Sequence, residues 1–230
     1  MEAIILAGGK AERLGDAAGG RPKSLVPVAG RPLAAWQLRL LTAAGIDRVI
    51  VSCAAGTGAQ FERALSGLGP EIVIAEETER LGRGGGIRFA AGFRRASGDV
   101  YALNGDELLE IDLRDLLGQH RADGAAATIT VARPKSPFGV VELAGDRVTG
   151  FSEGGTIECW VSAGGYVLSD EALRRFPERG DHETTTFPEL AAEGRLGAYR
   201  YEGTWLTVNT PKDLRRAEEY LSEHPEWLAA

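Results

Sequence analysis

Short apolar runs alternate with stretches in which apolar residues recur at helical spacing, and the alternation persists through the first half of the chain. Residues 3–7 predict a buried strand. Gly30-Arg31-Pro32 opens a helix carrying Leu33, Trp36, Leu40 and Ala44 until Gly45 stops it. Strand 49–52, helix 60–65, strand 71–75, a helix over 87–96 entered through Gly84-Gly85-Gly86, and strand 100–103 follow. This order predicts βαβ units and an α/β fold, a Rossmann-like, mostly parallel sheet flanked by helices. From about residue 125 the texture turns β-rich. A strand at 126–131, a hairpin of 140–143 and 147–151 across Ala144-Gly145-Asp146, and a strand at 160–168 precede a last helix opened by Thr210-Pro211-Lys212-Asp213. We read 1–230 as one domain with two halves, 1–124 and 125–230.

At 230 residues the chain is long enough for a single large core. A net charge of −7 and the lack of a contiguous basic patch argue against a nucleic-acid partner. No run is long enough to span a bilayer, and the opening lacks a basic n-region, so a cytoplasmic protein with no membrane partner is expected. Cys53 and Cys159 show no metal or disulfide spacing and read as small buried hydrophobes. His120, His182 and His224 form no ligand set and read as surface or capping residues. The sequence carries no signature of oligomeric state.

The candidate chemistry clusters around Leu6-Ala7-Gly8-Gly9, where the first strand runs into adjacent glycines that let a backbone approach a nucleotide. Arg13 and Lys23 follow at short range. Asp106 closes a later strand in Leu103-Asn104-Gly105-Asp106, at the sheet edge where α/β folds gather ligands. An aspartate beside polyphosphate calls for a hard cation such as Mg²⁺. Together these residues suggest nucleotidyl transfer.

Leu6-Ala7-Gly8-Gly9-Lys10-Ala11-Glu12-Arg13-Leu14 and Pro22-Lys23-Ser24-Leu25-Val26-Pro27-Val28 resemble the opening of the sugar-1-phosphate nucleotidyltransferases, the NDP-sugar pyrophosphorylases. Leu81-Gly82-Arg83, Phe138-Gly139-Val140-Val141, Phe151-Ser152-Glu153, Ser162-Ala163-Gly164 and Trp205 through Pro211 continue the resemblance in the family's order. The pattern is closest to mannose- and heptose-1-phosphate guanylyltransferases. The resemblance implies a GT-A-like fold with the nucleotide mainly on the first half and a β-rich sugar-binding portion in the second. It implies Arg13, Lys23 and Asp106 as catalytic residues, and Asp106 with Asn209 as Mg²⁺ ligands. Leu6, Ala7, Gly8, Gly9, Glu77, Gly82 and Asn104 would bind the nucleotide, and Gly139, Glu153 and Ser162 the sugar. Gly82 and the glycine run after it would bring backbone close to base and phosphates from the far side. An NTP and a sugar 1-phosphate are the implied partners. An ionised carboxylate only accepts hydrogen bonds, so Glu77 suits guanine's N1–H and amino edge and favours GTP; the acidic stretch around it equally suits a solvated loop.

The departures from the family pattern fall on the loop and the sugar side. Ala11-Glu12 replaces Gly-Thr, Glu153-Gly154-Gly155 replaces Glu-Lys-Pro, and Ser162 stands in place of an asparagine. In Trp205-Leu206-Thr207-Val208-Asn209-Thr210-Pro211, threonine replaces the aspartate of WxDIGTP, leaving Thr207 and Asn209 as alternatives for the second metal ligand. Two other functions stay open here: a cytidylyl- or guanylyltransferase with a non-sugar phosphate acceptor, and a non-catalytic nucleotide-sugar sensor.

Overall fold

The computed structural model describes residues 1–136, 138–224 and 227. Its first half runs β1 (Ala3–Leu6), β2 (Pro27–Val28), β3 (Arg31–Pro32), α1 (Leu33–Ala43), β4 (Arg48–Cys53), α2 (Gly58–Leu65), β5 (Glu71–Glu76), α3 (Gly82–Ala91) and β6 (Val100–Asn104). The second half adds β7 (Glu107–Leu109), α4 (Leu113–Asp123), β8 (Ala127–Ala132), β9 (Val140–Ala144), β10 (Arg147–Ser152), β11 (Val161–Leu168), α5 (Asp170–Arg175), α6 (Thr186–Ala192), β12 (Leu196–Arg200), β13 (Trp205–Thr207) and α7 (Pro211–Glu223). Seven strands form one sheet in the order β12-β8-β11-β6-β1-β4-β5. Only β11 runs antiparallel to its neighbours. The strand order reverses around β1, with β4 on one side and β6 on the other, so the crevice beyond their carboxyl ends is where an open α/β sheet holds a ligand.

Strand alternation divides the core between the two faces of the sheet: Ala3 and Ile5 join one buried cluster and Ile4 the other. Helix α1 is buried on two sides, which explains why its core positions are denser than one helical stripe. Ala34, Leu38 and Leu41 pack on the sheet, while Leu33 and Trp36 join a third cluster with Leu14, Ala18, Val208, Ala217, Leu221 and Trp227. That third cluster ties the loop after β1 to the buried side of α7. The entry to α7 is rigid because a capping box closes it, with Asp213 N–H on the Thr210 hydroxyl and the Asp213 carboxylate accepting from Thr210 N–H.

The structure corrects several expectations. The helix placed at 87–96 spans Gly82–Ala91, so the glycine run lies inside it. Glycine ordinarily weakens a helix interior, but a Cβ at Gly85 would stand 2.5 Å from the Glu178 carbonyl and one at Gly84 would stand 2.8 Å from His182 N. The run is there so that α3 can lie against the backbone of residues 177–182. Cys53 is buried as expected, but Cys159 is exposed. His120 and His182 are buried; only His224, at the C-cap of α7, fits its expected place. His120 Nδ1 pairs with Thr128 Oγ1 at 2.8 Å. His182 stacks on Phe176 and meets Tyr166 and Phe187 edge-on, and burial pushes its pKa down to about 4, so it packs as a neutral aromatic. Among the described residues, no helix is long and apolar enough to cross a membrane.

At the opposite edge of the sheet from the crevice, buried Glu2 accepts Arg48 Nε at 2.8 Å and the backbone N–H groups of Arg95 and Ala96. Burial works to raise its pKa, but these hydrogen bonds and the Arg48 charge outweigh it and leave the carboxyl below its usual range. A depressed folded-state pKa contributes stability above the unfolded value, and that contribution is lost as pH falls through the folded value. Glu2→Gln is therefore expected to cost about 1–3 kcal/mol at neutral pH, from the lost ionic acceptor and the buried Arg48 left behind. Urea unfolding as a function of pH checks this, and the gap from wild type should close on acidification below the carboxylate range.

Candidate active site

The turn after β6 carries Asp106, the turn after β13 carries Asn209, and the antiparallel pairing of β7 with β13 sets the two turns side by side. A bond from Val208 N–H to the Asp106 carbonyl, at 3.0 Å, fixes their spacing. Buried Lys23 donates to Asp106 Oδ2 at 2.5 Å and also to Asn209 Oδ1. Arg13 reaches the same amide oxygen at 2.7 Å from the exposed side. Residues 13, 23, 106 and 209, scattered along the chain, thus converge on one point. Lys23 is held there by its own backbone, since its N–H bonds to the Gly9 carbonyl at 3.3 Å. Tight packing brings β6 in as well, because a Cβ at Gly105 would stand 2.5 Å from the Leu6 carbonyl. Asn209, rather than Thr207, is the side chain that meets Lys23 and Arg13.

Beside this point opens a cavity of about 400 Å³ lined by Ala7, Gly8, Gly9, Lys10, Arg21, Thr57 and Gln60 among others. Neither Gly8 nor Gly9 takes a positive φ. A Cβ would meet nothing nearer than 3.7 Å at Gly8 and 3.8 Å at Gly9. The fold itself does not demand glycine at these positions; what the missing side chains leave is room on the cavity wall. Glu77 lies at the margin of that space, with Oε1 the atom nearest the missing Gly8 Cβ. It is buried rather than part of a solvated loop, and it is oriented by Ser52 Oγ at 3.2 Å and Leu81 N–H at 3.0 Å.

The amides of the second glycine run do not face this cavity. Gly84 N–H and Gly85 N–H both bond to the Gly180 carbonyl, at 2.9 and 3.3 Å, and a Cβ on Gly82 would stand 2.6 Å from the same oxygen. The start of α3 is therefore capped by the protein's own backbone, which removes Gly84 and Gly85 as phosphate-facing amides and turns Gly82 towards residue 180.

Sequence reasoning missed a polar network around Glu107 and Tyr166. Glu107 accepts the Trp205 indole N–H at 2.5 Å and Asn104 Nδ2 at 3.3 Å. Tyr166 O–H lies 3.4 Å from Asn104 Nδ2, 3.3 Å from Ser162 Oγ and 3.4 Å from Glu183 Oε1, and Arg83 pairs with Glu183 and Asp181. Burial, reinforced by the charge of Asp106, pushes the Glu107 carboxyl up to about 7 against the pull of Trp205, Asn104 and Lys23. Glu107 adjoins Asp106 in sequence, which was the only signal available for it. Asn104 and Ser162 thus meet at one tyrosine hydroxyl. Gly139 and Glu153 flank the β9–β10 hairpin, which forms a sheet of its own. Glu153 is exposed, and the Phe151 ring occupies the space a Cβ on Gly139 would take.

The donor set suits Mg²⁺. A carboxylate and an amide oxygen converge on a spot that already attracts a cation, the Lys23 ammonium, and both are hard oxygen donors. Among the described residues, no group of three or more His, Cys, Asp or Glu side chains could hold a metal. Mg²⁺ does not ask for one: it is commonly held by one or two carboxylates, with substrate phosphates and water in the other positions.

The family described as Nucleotidyl transferase matches residues 2–224. Mannose-1-phosphate guanylyltransferase of Mycobacterium tuberculosis is 35% identical over 231 residues, covering 94% of this chain and 63% of the relative. The catalytic subunit beta of the Danio rerio mannose-1-phosphate guanylyltransferase is 31% identical over 225 residues, covering 93% and 62%. The chain spans a little over three fifths of the length of these curated relatives. Among solved structures, HddC from Yersinia pseudotuberculosis complexed with GMP-PN superposes with a TM-score of 0.75 at 22% identity, covering 96% of this chain and 99% of that one.

Proposed function

The chain belongs to the nucleotidyl transferase family, and from that premise we propose that it joins an NTP to a sugar 1-phosphate, releasing pyrophosphate, with GTP and a mannose- or heptose-type phosphate favoured. The observation that carries this reading is the convergence of Arg13, Lys23, Asp106 and Asn209 beside a glycine-walled cavity. A phosphate oxygen of the acceptor attacks the α-phosphorus in line, and pyrophosphate departs, so no protein nucleophile is needed. The work left to the protein is to hold two polyanions in register and offset charge on the leaving group.

Gly8 and Gly9 let the nucleotide approach the end of β1. Arg13, on the exposed side, offers a planar fork that can grip two phosphate oxygens. Lys23 places a fixed point charge at the reacting centre, already desolvated and aimed by its two oxygen partners. Asp106 and Asn209 would hold Mg²⁺, which supplies charge neutralisation on the triphosphate when bound. Asn104 and Ser162, tied together from beneath by the buried Tyr166 hydroxyl, would face the acceptor, and Glu153 would reach it from the hairpin. Names of the curated relatives support the guanine preference, as does the placement of Glu77, whose carboxylate retains lone pairs for the N1–H and amino group of guanine.

Base choice is tested at Glu77. Glu77→Gln puts an amide donor where guanine offers donors, so GTP should lose about tenfold or more in kcat/KM while the other nucleotides change little. Pyrophosphate release with each NTP, against a panel of phosphorylated sugars and Mg²⁺, reads both the wild-type ranking and its shift. A wild-type enzyme that ignores GTP, or a ranking that Glu77→Gln leaves intact, contradicts the guanine assignment.

A further inference from the structure

The carboxyl edge of the sheet continues past β6 into the second half of the chain. β11 runs antiparallel to β6 and β8, and β12 runs parallel to β8, so the ends of β8 and β12 and the start of β11 meet at the edge where β6 delivers Asn104. Val131 is the partner of Ser162 on one side and of Arg200 on the other, and residues in register share a face of the sheet. Arg133, two residues past Val131, and Trp160, two before Ser162, fall on that same face. The contacts agree: the Arg133 guanidinium lies 4.8 Å from the centre of the Trp160 ring and the Arg200 guanidinium 5.7 Å from it. Just beyond, Ser136 N–H bonds to the Gly155 carbonyl at 2.8 Å and Ile157 N–H to the Pro134 carbonyl at 2.9 Å. These bonds root the β9–β10 hairpin here and set Lys135 opposite Thr156. The indole and its two guanidinium groups therefore stand between Ser162, about 7 Å away along the strand, and the hairpin that carries Glu153.

We infer that this is a subsite for a second anionic group on the acceptor, a phosphate or a carboxylate carried at the end of the sugar opposite its 1-phosphate. The inference rests on the proposed reaction and names the class of acceptor it takes. The chain carries a net charge of −7, yet along residues 133–136, 157–161 and 200–202 three cations, Arg133, Lys135 and Arg200, outnumber two carboxylates, Glu158 and Glu202. Glu158 stands 3.6 Å from Arg133 and is 83% exposed, so water screens the pair and an incoming anion can displace it. Among the described residues, no carboxylate pairs with Arg200 or Lys135. The face of an indole attracts guanidinium groups and holds their forks in place, and a planar fork matches the oxygens of a phosphate or carboxylate two at a time. Two like charges against one ring also repel each other, which an anion seated between them relieves. The NTP has its own cations, Arg13 and Lys23, beside β1, two strands away from β11. The 1-phosphate has to meet the α-phosphorus beside Lys23 and Asp106, on the other side of Asn104 and Ser162, so a group held at Trp160 is a different one.

Calorimetry with mannose 1-phosphate, mannose 1,6-bisphosphate and mannuronic acid 1-phosphate tests this without turnover, in Mg²⁺, with and without a GTP analogue whose α,β-bridge is a methylene. At least one of the two sugars with a second anion should bind roughly tenfold or more tighter than mannose 1-phosphate, and which of them does so identifies the group as phosphate or carboxylate. Arg133→Gln and Arg200→Gln should each erase most of that gain, and Arg200→Lys, which keeps the charge and loses the fork, should retain part of it. Both arginines are exposed, so the variants should keep the wild-type circular dichroism spectrum. No gain for either sugar, or a gain that both glutamine variants keep, overturns the inference. So does an equally large loss for mannose 1-phosphate, since the arginines would then be gripping the 1-phosphate itself. Pyrophosphate release measured in parallel with GTP distinguishes this from the reaction. Transfer to mannose 1-phosphate with no gain from a second anion removes the subsite and leaves the reaction standing, whereas the binding gain with no release from any of the three sugars keeps the subsite and contradicts the reaction.

Discussion

Asp106→Asn should lower turnover by a hundredfold or more, on the order of 3 kcal/mol or above in transition-state stabilisation, while leaving the fold intact. Asparagine keeps the size of the side chain and removes its charge. The turn is held by backbone contacts that the change does not touch, namely Val208 N–H on the Asp106 carbonyl and Gly105 N–H on the Leu6 carbonyl. What is lost is the carboxylate that meets Lys23 at this point. Steady-state pyrophosphate release at saturating Mg²⁺, with circular dichroism as the control for folding, measures the effect. Activity within a few-fold of wild type would remove Asp106 from the chemistry.

Lys23→Met is expected to be at least as severe, about 10³ in kcat, with a smaller change in KM for the NTP. The ammonium is buried and bridges Asp106 and Asn209, so methionine fills the slot without its charge and leaves two oxygens facing each other. Lys23→Arg should recover little, because a planar fork does not fit a slot shaped around a point charge. Equal losses in kcat/KM and NTP affinity would instead mean that Lys23 only grips the ground state.

Local signals in the sequence identified six of the seven strands of the main sheet, the glycine loop and the threonine cap of the last helix, and left out the edge strand β12. Each depends on neighbours a few residues away: apolar runs for β1 and β4, and Thr210 with Pro211 and Asp213 for α7. The start of α3 was misplaced because a glycine run reads as a break unless its packing partner is known, and that partner lies near residue 180. The burial of His182 was illegible for the same reason, its cage coming from β11, the end of α5 and α6. Motif order proposed Lys23, Asp106 and Asn209 separately. Only the pairing of β7 with β13 and the third buried cluster show why they meet. Glu107 and Glu183 belong to no motif, and a network of side chains from three segments leaves no periodic trace. The hairpin strands were plain from their alternation, whereas their forming a sheet of their own is a property of the whole fold.

The most direct test of the central claim follows the α-phosphorus. With GTP labelled at that position, Mg²⁺ and a sugar 1-phosphate that the enzyme accepts, the label should appear in the nucleotide sugar in step with pyrophosphate, one for one, and Asp106→Asn and Lys23→Met should suppress both together. Nucleotide binding with no transfer of label from any NTP to any phosphorylated acceptor would contradict the account and leave a binding protein in its place.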